Sequence, residues 1–261
     1  MMRNLGVAAC AALVGLCICG RVSANPLDDG AERYRSITIE SIGQALNGAR
    51  ALRDRVAAND LAGARQAWIA ARAGWERSEV FTAGLVPELD ALIDAWPNAT
   101  SGFHTIEARL FGAGSTDVGP DADALVAHLD ELHHRLHSMR LPAQGLLAGT
   151  VRLAYEVGES KADGGESRIS GTSLDDMRNN VVGIGLAYQT IFAEQLRAVD
   201  PARAAIVADR IARLEAVVAV SDLPHVDVRR LRQASEELAV ALQDAAGKLG
   251  LQRPTLEAQA Q

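Results

Sequence analysis

His104 and Glu107 stand three residues apart in Gly102-Phe103-His104-Thr105-Ile106-Glu107. On a helix, side chains at this spacing project from one side, so imidazole and carboxylate can reach a single metal ion. The same spacing also fits a plain His–Glu hydrogen bond on a half-exposed face. The proteolytic zinc motifs do not fit: there is no His-Glu-x-x-His, and Ala108 follows Glu107 where the inverted motif needs His. A further carboxylate follows from periodicity. Leu61, Ala64, Trp68, Ala71 and Trp75 recur at helical spacing, and four more residues lead to Glu79. A carboxylate on a face made for the core costs several kcal/mol if unpaired, or it takes up a proton. Glu79 therefore calls for a metal, a donor cluster or an ion pair with Arg72 or Arg77, unless the helix frays there and reaches water. Asp90 and Asp94 lie four apart on a short helix and offer oxygen ligands or a solvated acidic face.

His133, His134 and His137 form the other dense cluster. Leu129, Leu132 and Leu136 claim the buried face of that helix, so the histidines belong on its flank or outside, with weak adventitious metal binding. The chain shows no Gly-rich phosphate loop and no Gly-x-Ser-x-Gly elbow. Gly183 and Gly185 read as sites of close helix packing.

The elements that position these residues are helices. The 261 residues are 48% hydrophobic and 23% charged, enough to fill a core, which argues against wholesale disorder. A net charge of −7 argues against a nucleic-acid partner. Ala, Leu, Arg, Glu and Gln dominate, and alternating strand-like runs are hard to find. The sequence predicts an all-α protein of antiparallel helical bundles, with two packed lobes at about 25–140 and 141–261. Asp60 and Asp200-Pro201 read as helix starts, Ser173 with Asp176 as a capping box, and Asp222 with Pro224 as the start of the last helix.

Residues 1–24 read as a signal peptide. Arg3 precedes an apolar run from Leu5 to Ile18, and Val22-Ser23-Ala24 supplies a cleavage-type triplet before Asn25. All three cysteines (Cys10, Cys17 and Cys19) fall in this segment. The mature chain is then free of thiols and disulfides, has no stable membrane span, and is exported, to the periplasm if the host has two membranes.

The run from Tyr34 to Leu110 resembles the imelysin-like family, particularly its EfeO/EfeM iron-uptake branch. The resemblance rests on Trp75-Glu76-Arg77-Ser78-Glu79, then Leu89-Asp90-Ala91-Leu92-Ile93-Asp94, then Gly102-Phe103-His104-Thr105-Ile106-Glu107, in this order and spacing. It continues through Glu156-Val157, Gly165-Glu166, Ser170, Leu174, Asp176, Asn180 and Gly183. Two positions depart from the pattern: Ala95-Trp96 stand where an Arg often follows, and Val80 where Pro is common. The resemblance implies two packed helical bundles in the single-domain form. It implies a metal site of His104, Glu107, Glu79 and Asp94, with Glu76 and Asp90 as further carboxylates. It also implies a role in periplasmic iron acquisition beside an iron permease system in the inner membrane. One imidazole with carboxylates and no sulfur suits iron, zinc or manganese. The family also bears a peptidase label, which leaves a metallopeptidase or a non-catalytic partner-binding bundle as alternatives.

Overall fold

A computed structural model describes residues 25–96, 99–161 and 167–256; the expected signal peptide lies outside them. Among the described residues the chain is all helix and turn, with no strand. Helix α1 (Pro26–Ala57) begins with Pro at its first position, and the Asn25 side chain accepts a bond from Leu27 N–H at 3.1 Å. A tight turn follows, in which Asn59 takes a φ of 55°. Asp60 then caps α2 (Leu61–Glu76) by accepting from Gly63 N–H at 2.9 Å. Of the predicted stripe, Ala64, Trp68, Ala71 and Trp75 are wholly buried and Leu61 is half-buried, and α1 and α2 pack along each other.

The predicted stripe does not reach Glu79 as one helix. Helix α2 ends at Glu76, Arg77-Ser78 form a turn, and Glu79 opens α3 (Glu79–Leu85). Helix α4 (Pro87–Asp94) follows, then α5 (Gly102–Glu107), which continues into a π-helical segment, Ala108–Ala113. Gly102 adopts a φ of +73°, and a Cβ there would lie 2.1 Å from the Ile93 carbonyl oxygen. With Ser101 Oγ donating to Leu92 O at 3.0 Å, this contact seats the start of α5 on the end of α4.

Helix α6 (Gly119–Leu136) packs on α1. Helix α7 (Ala143–Glu159) packs on α3, on α8 (Ser173–Ala187) and on α11 (Val228–Ala245). A second π-helical segment, Tyr188–Phe192, leads from α8 into α9 (Ala193–Val199), and α10 (Pro201–Val218) packs on α8, α9 and α11. Asp200 caps α10 as expected, accepting from Arg203 N–H at 3.0 Å. The last helix starts later than predicted. Leu223–His225 make a single 3-10 turn, and Asp227 caps α11 by accepting from Arg229 and Arg230 N–H at 3.1 and 3.2 Å. The Ser173–Asp176 capping box does not form: Thr172 takes the cap position and Asp176 turns inward.

Two glycines fix the backbone around the α2–α3 break. A Cβ on Gly149 of α7 would lie 1.7 Å from Val80 O, and one on Gly183 of α8 would lie 2.5 Å from Arg77 O. Gly149→Ala therefore forces α7 and α3 apart and should destabilise the protein by about 1–3 kcal/mol. Gly84→Ala, whose Cβ meets nothing within 4 Å, should be neutral or stabilise by about 0.5–1 kcal/mol through helix propensity. Urea unfolding midpoints of the two variants check this; equal midpoints would refute the close-packing account.

Candidate metal centre

Arg72 lies four residues beyond Trp68 and so shares the buried face of α2. Its residue exposure is 1%, and its guanidinium sits over the rings of Trp68 and Phe103, at 5.8 and 5.3 Å from their centroids. An unpaired guanidinium could not stay there. Three carboxylates meet it: Glu76 one turn on, Asp94 at the end of α4, and Asp176 of α8 at 3.0 Å. Trp75 Nε1 donates to Asp94 Oδ2 at 2.5 Å, and Ser167 Oγ donates to Asp176.

The break after Glu76 brings a second carboxylate to the same place. Lys161 Nζ donates to Glu76 Oε2 and Glu79 Oε2, both at 3.0 Å, and Lys161 is itself only 3% exposed. Asn180 of α8 fills the other side. Its Nδ2 lies 2.9 Å from the Glu76 carbonyl, 2.8 Å from Glu76 Oε2 and 2.6 Å from Glu79 Oε2. One amide thus takes the backbone acceptor freed where α2 ends and bridges the two carboxylates. Asn180 Oδ1 is buried without a hydrogen-bond partner among the described residues.

His104 enters from α5. Its Nδ1 is 3.2 Å from Glu107 Oε2, and its Nε2 is 3.1 Å from Asp94 Oδ1. The Nε2 contact is a charge contact rather than an aligned hydrogen bond, since Nε2 is buried without a hydrogen-bond partner. Glu107 is held from behind: Ser170 N–H and Ser170 Oγ both donate to Glu107 Oε1 at 2.8 Å. The half-exposed Trp96 ring lies 5.0 Å from the His104 ring on its outer side.

The structure thus gathers Glu76, Glu79 and Asp94 around one spot, and His104 reaches its edge through Asp94. Glu76, Glu79 and Asp94 can each present an oxygen within 4.8 Å of the others. Glu107 stands behind His104, bonded to its other ring nitrogen. Asp90 is outside that group, bonded to Thr82 and near Asp94, Arg152 and Glu156, and burial pushes its carboxyl up to about 6. His133 and His137 pack ring against ring at 5.2 Å on the outer part of α6, with His134 and His137 exposed. Residue types alone had missed Lys161, Asn180, Asp176 and Ser170. Arg72 and Glu76 are legible in the sequence, because Trp68, Arg72, Glu76 and Glu79 follow one another at steps of four, four and three.

Residues 30–101 and 98–252 match the family described as imelysin, which carries a peptidase designation. The chain belongs to the imelysin family. Among its relatives is the iron uptake system component EfeM of Pseudomonas syringae pv. syringae, 28% identical over 196 residues, covering 71% of this chain and 68% of the relative. The iron uptake system component EfeO of Yersinia pseudotuberculosis is 34% identical over 161 residues, covering 58% of this chain and 42% of the relative. The EfeO of Escherichia coli is 28% identical over 239 residues, covering 84% and 63%. The chain therefore spans about two thirds or less of the length of these relatives.

The electrostatics of this imelysin-family cluster follow from burial and from the sharing of Arg72. Burial works against the charge on Glu76, but Arg72 and Lys161 outweigh it and hold the carboxyl below its usual range. Asp94 is likewise opposed by burial, yet Arg72 and His104 bring it down to about 2. At Asp176 burial wins over Arg72, with Glu76 adding repulsion, and the carboxyl rises to about 7. His104 is lifted to about 9: burial disfavours its charge, but the charge of Asp94 and the hydrogen bond to Glu107 prevail.

A histidine pKa raised on folding contributes stability that is complete below the unfolded value near 6.5. That contribution is lost as pH rises through the folded value of about 9. In metal-free protein the stability difference between wild type and His104→Gln should therefore shrink by about 2–3 kcal/mol between pH 6 and pH 9.5. Urea unfolding at several pH values measures it; a difference independent of pH would show that His104 carries no proton in this cluster.

Proposed function

We propose that this chain is an exported metal-binding component of an iron-uptake system, with iron as its cargo. The observation that carries the reading is the group of buried Glu76 and half-buried Glu79 and Asp94, with His104 Nε2 beside Asp94. Their chemistry fits the ion. Carboxylates and one imidazole suit iron, and also zinc or manganese, and no thiol lies among the described residues to favour copper(I). Among the described residues, Glu76 Oε1, His104 Nε2 and Asn180 Oδ1 at the cluster are buried without hydrogen-bond partners. Charge supports the reading as well: Glu76, Glu79, Asp94, Asp176 and Glu107 outnumber Arg72, Lys161 and His104, and a cation makes up the deficit.

In this reading His104, Asp94, Glu79 and Glu76 hold the ion, and Glu107 orients His104 by keeping a proton on Nδ1. This adjusts the two-ligand reading of His-x-x-Glu, placing Glu107 as the imidazole's carboxylate partner rather than a fourth ligand. The names of the EfeM and EfeO relatives support iron uptake as the context. No helix among the described residues is long and apolar enough to cross a membrane. Export through residues 1–24, work in the periplasm, a two-lobed domain and delivery to an inner-membrane permease complete the proposal.

Titration of metal-free protein with Fe²⁺ under anaerobic conditions, and with Zn²⁺ and Mn²⁺, tests it. Metal at about a hundredfold excess over Kd should stabilise the fold by about 2.7 kcal/mol, read as a rise in melting temperature. His104→Ala and Glu79→Ala should abolish tight binding with helicity kept, and Glu107→Gln should weaken it about 10–100-fold. The double variant His133→Ala/His137→Ala should bind as wild type does; loss of binding there, with binding kept in His104→Ala, would move the site to α6. The peptidase designation of the family supports a second reading, a metallopeptidase built on His104 and Glu107. Casein hydrolysis by metal-loaded protein, lost in His104→Ala, would decide for it.

A further inference from the structure

Both Glu76 oxygens are held by cations of the chain itself: Arg72 pairs with Oε1, and Lys161 Nζ lies 3.0 Å from Oε2. The same ammonium lies 3.0 Å from Glu79 Oε2. Lys161 therefore neutralises two of the three carboxylates that converge at the candidate centre. We infer that Lys161 is a resident counter-ion that an incoming metal displaces, so that loading is an exchange of one cation for another and Lys161 sets the affinity of the site. The inference rests on the metal-binding reading above.

Three observations carry it. The first is the choice of residue. Of the 26 basic residues in the chain, two are lysines, Lys161 and Lys248. The chain uses arginine almost everywhere, including the permanent clamp at Arg72, and lysine here. Arginine's planar fork fixes two oxygens at once, whereas an ammonium is a compact, strongly hydrated charge on a flexible stem and is the more readily released. The second is the anchoring. Lys161 lies past the end of α7, its N–H donating to Glu156 O at 3.3 Å. Its side chain can therefore leave the cluster without unwinding the helix. The third is Asn180, whose Nδ2 holds Glu76 Oε2 and Glu79 Oε2 at 2.8 and 2.6 Å. The two carboxylates stay in register when the ammonium goes.

The second lysine makes the test internal. Lys248 is half-exposed, its side chain 55% accessible, and lies 3.5 Å from Asp200 Oδ2. Full-length mature protein is acetylated with an amine-reactive ester in amine-free buffer, metal-free and saturated with Zn²⁺, and each lysine is read by mass spectrometry. Lys161 should be protected without metal and react when Zn²⁺ is bound, with Lys248 reacting equally in both. In parallel, Lys161→Met should bind Zn²⁺ about tenfold more tightly or better, since the competing charge is gone. If Lys161→Met does not fold, Lys161→Gln replaces it, and the labelling of wild type stands without either. Saturated wild type with Lys161 still protected, or a folded Lys161 variant binding no more tightly, overturns the exchange and leaves the metal reading intact. No Zn²⁺ or Fe²⁺ binding by wild type or variant overturns both.

Discussion

The buried guanidinium of Arg72 is the constraint on which the rest of the centre depends. Removing such a charge from water costs several kcal/mol even after relaxation, and only close carboxylates return it. Those carboxylates come from α2, α4 and α8, so one side chain ties together elements far apart in sequence. The faces of Trp68 and Phe103 close the remaining sides. Loss of Arg72 would leave three acids without their shared partner, so its place in the core is enforced by the groups it neutralises.

That arrangement leaves a deficit of positive charge. Arg72 is divided among three carboxylates, and its hold on each is correspondingly incomplete. Asp176, whose carboxyl rises to about 7, is where the shortage shows. Lys161 covers Glu76 and Glu79, and the His104 proton covers Asp94 and Glu107. Each of these makeshift cations is held by a side chain on a short or terminal element, whereas Arg72 sits mid-helix. The permanent guanidinium sits mid-helix, and the other two charges beside the converging carboxylates sit on a short helix and past a helix end.

Much of this was legible in the residues. The stripe of α2, the leucines of α6 and the caps at Asp60 and Asp200 follow from periodicity and from the geometry of helix ends, which are local rules. The need of Glu79 for a partner was also readable, because a carboxylate at a core position demands one. What escaped was set by tertiary contact. Ser173 and Asp176 have the spacing of a capping box, but a buried arginine competes for Asp176 more strongly than a backbone N–H can. Lys161 sits beside a polar, glycine-rich stretch that reads as solvated loop, and nothing local announces that its ammonium is buried. The single helix drawn through Trp75 to Glu79 failed at Arg77-Ser78. There Ser78 Oγ donates back to Gly74 O at 3.0 Å, and the close approach of Gly149 and Gly183 accommodates the turn.

The His-x-x-Glu spacing itself carries two chemistries, and the donors that hold Glu107 bear on which one applies. Two side chains on one face of a helix can grip a common ion, or one can hold the other. Here Ser170 holds Glu107 Oε1 with two donors, which leaves Oε2 for His104 Nδ1. An imidazole bonded through Nδ1 has its orientation fixed and presents Nε2 in one direction, toward Asp94. The chain after Glu107 supports this pose. The π-helical turn at Ala108–Ala113 leaves the Leu110 carbonyl in need of donors, and Arg65 of α2 supplies two, at 2.9 and 2.8 Å. That bond fastens α5 to the same helix that carries Arg72 and Glu76. On the proposed reading the motif supplies one oriented nitrogen rather than a pair of ligands, and the carboxylates of the candidate centre come from the helices packed around it.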